Sequence, residues 1–327
     1  MNILIIGAAG MIGRKLVAAL LASGRVENRE ITGLTLADIV APDTPATSIA
    51  CSTVAADLSE PGVAERLIAS RPDLIFHLAA IVSGEAEADF DKGYRINLDG
   101  TRHLLDAIRH QSANAPYCPR LVFTSSIAVF GTPLPDVIAD NEAHTPLTSY
   151  GTQKAICELL LADYSRRGFV DGIGIRLPTI VVRPGKPNKA ASGFFSGIIR
   201  EPLAGLEAVL PVSEDVRHWF ASPRAAVGFL LHAAQLDTAQ LGQRRNLSMP
   251  GLAATVGEEI AALGRIAGPK AVARIRREPD DTIARIVAGW PQAFDPARAL
   301  ALGFRPDASF DAIIRDHVES ELGGHIV

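Results

Sequence analysis

The sequence is most constrained by a glycine loop near its start, in which Gly7, Gly10 and Gly13 follow the spacing G-x-x-G-x-x-G. The apolar run Asn2–Ile6 precedes the loop, and a helical pattern over Met11–Ala22 follows it. Glycine lets a backbone turn tightly and approach a pyrophosphate, whose charge then faces the N-terminus of the following helix. This strand–loop–helix context predicts a dinucleotide site, with an ordinary strand–helix turn as the alternative.

Short apolar segments alternate with helical patterns over the first 180 residues. The segments are rich in Val, Ile and Leu, as expected for strands that are covered on both faces. This alternation predicts an α/β fold with a Rossmann-type doubly wound parallel sheet. The predicted strands are Asn2–Ile6, Ile31–Asp38, Ser52–Ala56, Leu74–Leu78, Arg120–Ser125 and Gly172–Leu177, and the predicted helices include Met11–Ala22, Leu98–Gln111 and Tyr150–Arg167.

The pattern changes after Leu177, where Pro and Gly cluster. A helix at Ala225–Ala234 and a strand at Arg245–Met249 are predicted to return to the main sheet, and Val256 to the end is typical of helices broken by Pro and Gly. We therefore expect a nucleotide-binding domain over 1–177, with returning segments near 225–249. A smaller, mostly C-terminal α/β substrate cap would comprise 178–224 and 250–327.

Acidic residues follow two of the predicted strands. Asp38 ends the second strand, where a carboxylate can accept hydrogen bonds from the adenosine ribose hydroxyls and would repel a 2′-phosphate. This favours NAD over NADP, although Arg14 after the third glycine could pair with such a phosphate. Asp57 and Leu58 follow the third strand and could contact the adenine, with an N-cap role as the alternative for Asp57.

Tyr150 and Lys154 lie at positions i and i+4 of a predicted helix, so they share one helical face. A phenol with a pKa of about 10 is a poor base at neutral pH. A neighbouring ammonium favours the phenolate and lowers that pKa. The pair therefore predicts an acid/base tyrosine with a lysine partner, and a surface pair is the alternative.

Three hydroxyl side chains, Thr124, Ser125 and Ser126, lie near the end of the predicted fifth strand. Open α/β proteins bind ligands at this carboxyl edge of the sheet, so a hydroxyl there can hydrogen-bond a substrate oxygen. The G-x-S-x-G motif of a nucleophilic serine does not surround them.

Composition limits the classes of partner. A formal charge of −4 without a basic run gives no electrostatic basis for a nucleic-acid partner. Cys51, Cys118 and Cys157 have neither metal-ligand spacing nor a disulfide framework, so we expect no metal site. No apolar segment reaches the length of a membrane span, and the first one is too short for a signal peptide. We therefore expect a soluble, cytoplasmic protein with no membrane partner.

Five motifs in this order resemble the extended short-chain dehydrogenase/reductase family, the NAD-dependent epimerases and dehydratases. They are the glycine loop, His77–Ala80, Asn97–Thr101, the block around Ser126, and Tyr150 with Lys154. The resemblance covers about residues 1–180 and implies NAD as cofactor. It also implies a homodimer formed through the helices near Leu98–Gln111 and Tyr150–Arg167.

The resemblance also implies roles for individual residues. Asn97 would support the local helix and the active-site geometry. The implied catalytic residues are Tyr150, Lys154, Ser126, Ser125 and Asn97. The implied NAD contacts are Gly7, Gly10, Met11, Ile12, Gly13, Asp38, Asp57, Leu58, Leu78, Ala79, Ala80, Asn97, Tyr150, Lys154, Pro178 and Thr179.

Three segments after the nucleotide-binding part, Lys186–Phe195, Ile199–Leu203 and Arg217–Arg224, resemble dehydrogenases that oxidise a four-carbon sugar acid such as D-erythronate with NAD. Arg217 is the expected clamp for the acid, because guanidinium binds carboxylate bidentately, with a surface or ion-pair arginine as the alternative. His218 is expected to be structural, and Trp219 and Phe220 are expected in the core. The implied substrate contacts are Ser83, Ser125, Ser126, Tyr150, Thr179, Asn188 and Arg217.

Other activities of the family remain open. A sugar-nucleotide dehydratase would, by resemblance, carry acidic residues directly after the serine; Ile127 and Ala128 stand there instead, which argues against dehydration. A nucleotide-sugar 4-epimerase would use the same tyrosine and a tightly bound NAD without net oxidation. A non-catalytic NAD-binding regulatory protein is a further alternative, but such proteins often lose the tyrosine or the lysine.

Overall fold

The computed structural model describes residues 1–113, 115–185 and 191–327. Two compact units divide the chain. The first unit comprises Met1–Val129, Thr148–Arg176 and Val227–Ser248, and the second comprises Phe130–Leu147, Leu177–Ala226 and Met249–Val327. No helix within the described ranges is long and apolar enough to cross a membrane.

Strands and helices are numbered here in chain order. The strands are β1 Asn2–Ile6, β2 Arg25–Val26, β3 Arg29–Glu30, β4 Gly33–Asp38, β5 Ala50–Ala55, β6 Leu74–His77, β7 Arg120–Ser126, β8 Ile138–Ala139, β9 Asp171–Leu177, β10 Thr179–Ile180, β11 Ala208–Leu210, β12 Arg217–Ala221, β13 Asn246–Ser248, β14 Leu252–Thr255, β15 Ile275–Arg277 and β16 Phe294–Asp295. The α-helices are α1 Met11–Ser23, α2 Val63–Ile68, α3 Ser83–Ala88, α4 Phe90–Gly93, α5 Gly100–Gln111, α6 Ser149–Arg166, α7 Gly193–Leu203, α8 Pro223–Gln235, α9 Val256–Val272, α10 Asp281–Ala288, α11 Ala297–Ala301 and α12 Phe310–Leu322.

A seven-stranded parallel sheet in the order β13-β9-β7-β6-β1-β4-β5 forms the first unit, which confirms the predicted α/β fold. The central strands are buried along almost their whole length, because apolar side chains on both faces must be covered. From β1 the chain builds outward on one side through β4 and β5 and on the other through β6 and β7. In such sheets ligands bind at the carboxyl ends of the strands beside this switch point.

The element boundaries largely follow the predictions. Strand β1 matches its prediction, and the returning strand is confirmed because β13 pairs in parallel with β9. The predicted strand Ile31–Asp38 begins later, at Gly33. The helix predicted over Leu98–Gln111 is different at its start, where a π-helical turn over Tyr94–Asp99 leads into α5.

The second unit contains a three-stranded sheet in the order β10-β12-β14 and two-stranded sheets formed by β11 with β15 and by β8 with β16. Its core includes Phe195 of α7, Phe220 of β12 and Ile314 of α12. The prediction of broken helices after Val256 is confirmed by α9, which is kinked at Gly268 and Pro269. That prediction missed the short strands β15 and β16, because two or three residues carry too little periodicity.

Candidate functional site

The glycine loop requires glycine at its first and last positions. Gly7 has a φ of 95°, in the region that favours glycine, and a Cβ there would lie 2.7 Å from the amide nitrogen of Ala79. A Cβ on Gly13 would lie 2.2 Å from the carbonyl oxygen of Gly7. Both glycines therefore allow backbone segments to meet, and the loop is held directly against the segment that follows β6.

Gly10 has a different role because a Cβ there would only touch the carbonyl oxygen of Gly7 at 3.4 Å. Gly10 is exposed and is the N-cap of α1, and no side chain caps that helix end. The first turn, which includes the partly exposed Met11 and Ile12, carries no acidic residue. Open backbone N–H groups at a helix N-terminus suit a diphosphate, so the loop fits the dinucleotide expected from the sequence.

Asp38 lies at the end of β4 beside the glycine loop. Its Oδ2 accepts a hydrogen bond of 2.9 Å from the amide of Ala9, and its Oδ1 accepts one of 2.7 Å from Ile39. The guanidinium of Arg14 donates to the carbonyl oxygen of Ala9 at 2.5 Å. The carboxylate is thus fixed next to the loop, in a position that suits the predicted contact with a ribose.

Asp57 is engaged within its own turn. Its Oδ1 accepts hydrogen bonds from the amide and the hydroxyl of Ser59, at 2.9 and 2.6 Å. Burial raises the pKa of Asp57, but the Ser59 hydrogen bonds and the charge of Arg95 outweigh it and leave the pKa below its ordinary value. The N-cap of α2 is Gly62, so Asp57 is not a helix cap. The adenine contacts of Asp57 and of the buried Leu58 stay predictions.

Tyr150 and Ser126 are brought together by α6 and the end of β7. The hydroxyl of Thr148 caps α6 by accepting a hydrogen bond from Gly151 at 3.0 Å, which places Tyr150 in the first turn. Burial of the phenol raises the pKa of Tyr150 to about 12, and a side-chain hydrogen bond with Ser126 opposes that rise. This proximity is the one that an acid/base tyrosine and a substrate-orienting serine require.

Lys154 is buried beneath this pair. Its Nζ donates to the carbonyl oxygen of Thr124 at 2.8 Å and lies 5.7 Å from the centre of the Tyr150 ring. Burial lowers the pKa of Lys154 to about 8. The expected lowering of the Tyr150 pKa by this ammonium is not seen: burial raises that pKa, and Ser126 is the group that lowers it. The positive charge lies behind the tyrosine, while the backbone of β7 holds it.

Ser125 does not join Ser126, because consecutive residues of a strand point to opposite faces. The Ser125 hydroxyl is buried and donates to Oε1 of Glu158 at 2.6 Å. Glu158 also pairs with Arg176 at 2.7 Å in a buried salt bridge. Ser125 thus belongs to a buried polar network beneath the strand, and its predicted contact with substrate has no support from its position.

Asn97 lies in the π-helical turn and ties three segments together. Its Oδ1 accepts from the amide of Ile81 at 2.9 Å, and its Nδ2 donates to the Ile81 carbonyl at 3.2 Å and to Oε1 of Gln153 at 2.8 Å. The predicted supporting role of Asn97 agrees with this arrangement. It also positions the segment after β6 that carries the partly exposed Ala79 and Ala80.

The sequence analysis missed Gln153 and the structural role of His77. Gln153 is fully buried beside Lys154, and its pairing with Asn97 depends on how α6 packs, for which the sequence offers no signal. His77 hydrogen-bonds Thr101 at 2.9 Å. Burial, assisted by the charge of Lys154, lowers the pKa of His77 to about 3, so the ring is neutral.

The remaining predicted contacts lie in the segments of the chain that follow β6 and β9. Leu78 and Ser83 are partly exposed after β6, and Pro178 is buried. Thr179 hydrogen-bonds His218 at 2.6 Å, and His218 stacks on Phe195, so His218 is structural as expected. Trp219 and Phe220 are in the core as expected. Asn188 lies outside the described residues.

Arg217 does not have the surroundings expected of a substrate clamp. Its side chain is 41% exposed, donates to the carbonyl oxygen of Ala253 at 3.3 Å and lies 3.8 Å from Glu258. It is the first residue of β12, and the alternation along the strand directs it away from the buried His218.

Comparison with known proteins agrees with this geometry. The chain is 49% identical to D-erythronate dehydrogenase of Cupriavidus necator over 98% of both chains. It is 44% identical to D-erythronate dehydrogenase of Haemophilus influenzae, over 98% of this chain and all of that one. A solved structure described as the nucleoside-diphosphate-sugar epimerase from Agrobacterium tumefaciens is 65% identical, with a TM-score of 0.97 over 99% of this chain and 95% of that one.

The family model of the NAD dependent epimerase/dehydratase family matches residues 3–247, which include the glycine loop, Asp38, Ser126, Tyr150 and Lys154. The glycine cradle and the carboxylate beside it fit NAD on the structural grounds given above. The chain therefore belongs to the NAD-dependent epimerase/dehydratase family, with NAD as its cofactor.

Proposed function

We propose that the protein is an NAD-dependent dehydrogenase that oxidises D-erythronate to 2-dehydro-D-erythronate. The observation that carries the proposal is the full-length identity of 49% and 44% to two D-erythronate dehydrogenases. The pairing of Tyr150 with Ser126, above a buried Lys154, supports it chemically. Oxidation of an alcohol requires one base at the hydroxyl and one hydride acceptor at the carbon. A single acid/base tyrosine can serve as the base.

Tyr150 takes the proton of the substrate hydroxyl, and Ser126 hydrogen-bonds the same oxygen as it becomes a carbonyl oxygen. NAD, when bound, supplies the hydride acceptor. With a pKa of about 12 the phenol is protonated at neutral pH, so it must lose its proton before it can act as a base. The Ser126 hydrogen bond favours the phenolate. Asn97 and Gln153 position the helix that carries Tyr150.

A second candidate is a nucleotide-sugar epimerase, because the structure that is 65% identical is described as a nucleoside-diphosphate-sugar epimerase. An epimerase could use the same tyrosine, serine and NAD. It differs in the net reaction, since a hydride removed from the sugar is returned to it and no NADH accumulates.

One experiment separates the two candidates. The purified protein is incubated with NAD and a panel of four- to six-carbon sugar acids, and separately with nucleotide sugars, while NADH absorbance and sugar products are followed. We expect NADH to accumulate with D-erythronate and nucleotide sugars to remain unchanged. Interconversion of a nucleotide sugar without NADH, and inactivity with every sugar acid, would replace the dehydrogenase by the epimerase.

The protein is proposed to act as a cytoplasmic homodimer. Its three cysteines are free, as suits a reducing compartment. On α6, one of the two helices expected at the dimer interface, Leu159 is 66% exposed. Light scattering on the purified protein tests the assembly, and a mass of one chain at micromolar concentration would reject the dimer.

A further inference from the structure

Three arginines of the second unit could bind the carboxylate of a small acid, and they differ in what already neutralises them. Arg217 is partly exposed and lies 3.8 Å from Glu258. Arg200 is 12% exposed and is paired with Glu201 at 2.5 Å. It also donates through Nη1 to the carbonyl oxygen of Arg183 at 2.7 Å. Two of the three arginines thus have a carboxylate partner.

Arg183 has no carboxylate partner among the described residues. Its Nη2 donates to the carbonyl oxygen and the hydroxyl of Ser192, at 3.1 and 2.8 Å, and its backbone N–H donates to the Ser196 hydroxyl at 3.0 Å. The side chain is partly buried, and burial together with the charge of Arg200 lowers the pKa of Arg183. A partly desolvated guanidinium that no described carboxylate neutralises is costly, and an incoming anion removes that cost.

The geometry also leaves part of the guanidinium available. Arginine has five N–H donors in a planar fork, and the described contacts engage only Nη2. The Ser192 hydroxyl, which accepts from Nη2, keeps a proton that it can donate. A carboxylate needs this combination: a fixed fork for two oxygens and a neutral donor beside it.

We propose that Arg183, rather than Arg217, binds the carboxylate of the sugar-acid substrate and thereby determines that the enzyme selects acids over neutral polyols. This inference rests on the proposed oxidation of a sugar acid. Arg183 follows β10, the strand that carries the predicted substrate contact Thr179, by three residues. Arg200 acts indirectly, because its bond to the Arg183 carbonyl holds the segment in place.

The test compares a charged and an uncharged substrate in Arg183→Ala. We expect the KM for D-erythronate to rise about 30-fold or more, as for other buried charge pairs that lose one partner. Turnover of erythritol, the uncharged alcohol of the same chain length, and the Kd of NAD should stay near their wild-type values. Added guanidinium chloride should restore part of the lost activity with D-erythronate and should have no such effect on the wild type.

Arg276→Ala provides the matched control, since Arg276 is an exposed arginine of the same unit paired with Glu207 and Glu278. Arg217→Ala tests the competing assignment. If Arg183→Ala does not fold, Arg183→Met keeps the alkyl stem and is measured in the same way. If erythritol is too poor a substrate, the Kd of D-erythronate is measured by calorimetry in each variant.

An unchanged KM and Kd for D-erythronate in the Arg183 variants would overturn the inference, as would a large rise in KM in Arg217→Ala alone. Its failure is distinct from failure of the proposed function. Absence of NADH from the wild type with D-erythronate defeats the function. Normal wild-type turnover with an unaffected Arg183 variant defeats only the assignment of the anchor.

Discussion

Tyr150 and Lys154 have opposite pKa shifts for the same physical reason. Burial disfavours the charged form of each side chain, so it raises the pKa of the phenol to about 12 and lowers that of the ammonium to about 8. The two pKa values, which are ordinarily close at 10.0 and 10.5, therefore move apart. Strongly perturbed pKa values of this kind are typical of sites at which protons are transferred.

Replacing Tyr150 with Phe should lower kcat with D-erythronate by about 10²–10⁴-fold, because the ring stays and only the proton-transfer group is lost. The Kd of NAD should change little. Tyr164→Phe is the matched control on the same helix, where it removes a hydroxyl that donates to Asp106 at 2.8 Å. The two kcat values and the thermal midpoints are compared. Wild-type turnover in Tyr150→Phe would refute the assignment of the base.

At the scale of elements, the parallel strands could be predicted because burial on both faces leaves a continuous apolar run in the sequence. The π-helical turn over Tyr94–Asp99 could not, since the contacts of its Asn97 are with Ile81 and Gln153, in segments distant along the sequence. The environments of neighbouring residues also differ. Ser125 and Ser126 look equivalent in the sequence, yet they point to opposite faces of the strand. Ser125 therefore hydrogen-bonds the buried Glu158, whereas Ser126 hydrogen-bonds Tyr150.

The glycine loop allows a prediction that separates folding from binding. Gly13→Ala should destabilise the protein by about 1–3 kcal/mol, because its Cβ would clash with the Gly7 carbonyl oxygen. Gly10→Ala should leave stability near wild type, since its φ of −67° suits alanine and its Cβ meets only an ordinary contact.

Gly10→Ala should nevertheless bind NAD at least about tenfold more weakly, because its extra methyl would occupy the surface on which the diphosphate is expected to rest. Thermal unfolding and calorimetric titration with NAD provide the two readouts. A Gly10→Ala variant that keeps wild-type NAD affinity would mean that the diphosphate lies elsewhere.

Across the whole molecule, each unit contains a buried histidine that is kept neutral. Burial lowers the pKa of His77 to about 3 and that of His218 to about 4, against an ordinary value of 6.5. Between pH 6.5 and about 4 the unfolded chain therefore binds protons that the folded chain does not. By linkage, the free energy of unfolding must decrease as the pH falls through this window.

We expect a loss of about 1.4 kcal/mol per pH unit for each of these histidines in that window. His77→Gln should reduce the slope of the unfolding free energy against pH by the contribution of one histidine. Denaturant unfolding at several pH values from neutral down to pH 4 measures the slope. A free energy of unfolding that stays constant over this range would contradict the buried, neutral state of both rings.

The proposed dehydrogenase activity is tested most directly by following the hydride itself. D-Erythronate that carries deuterium at C2 is incubated with the enzyme and unlabelled NAD, and the NADH is analysed by mass spectrometry. We predict that deuterium from C2 appears in the NADH as 2-dehydro-D-erythronate forms. NADH without deuterium, or no NADH at all, would contradict direct hydride transfer from that carbon.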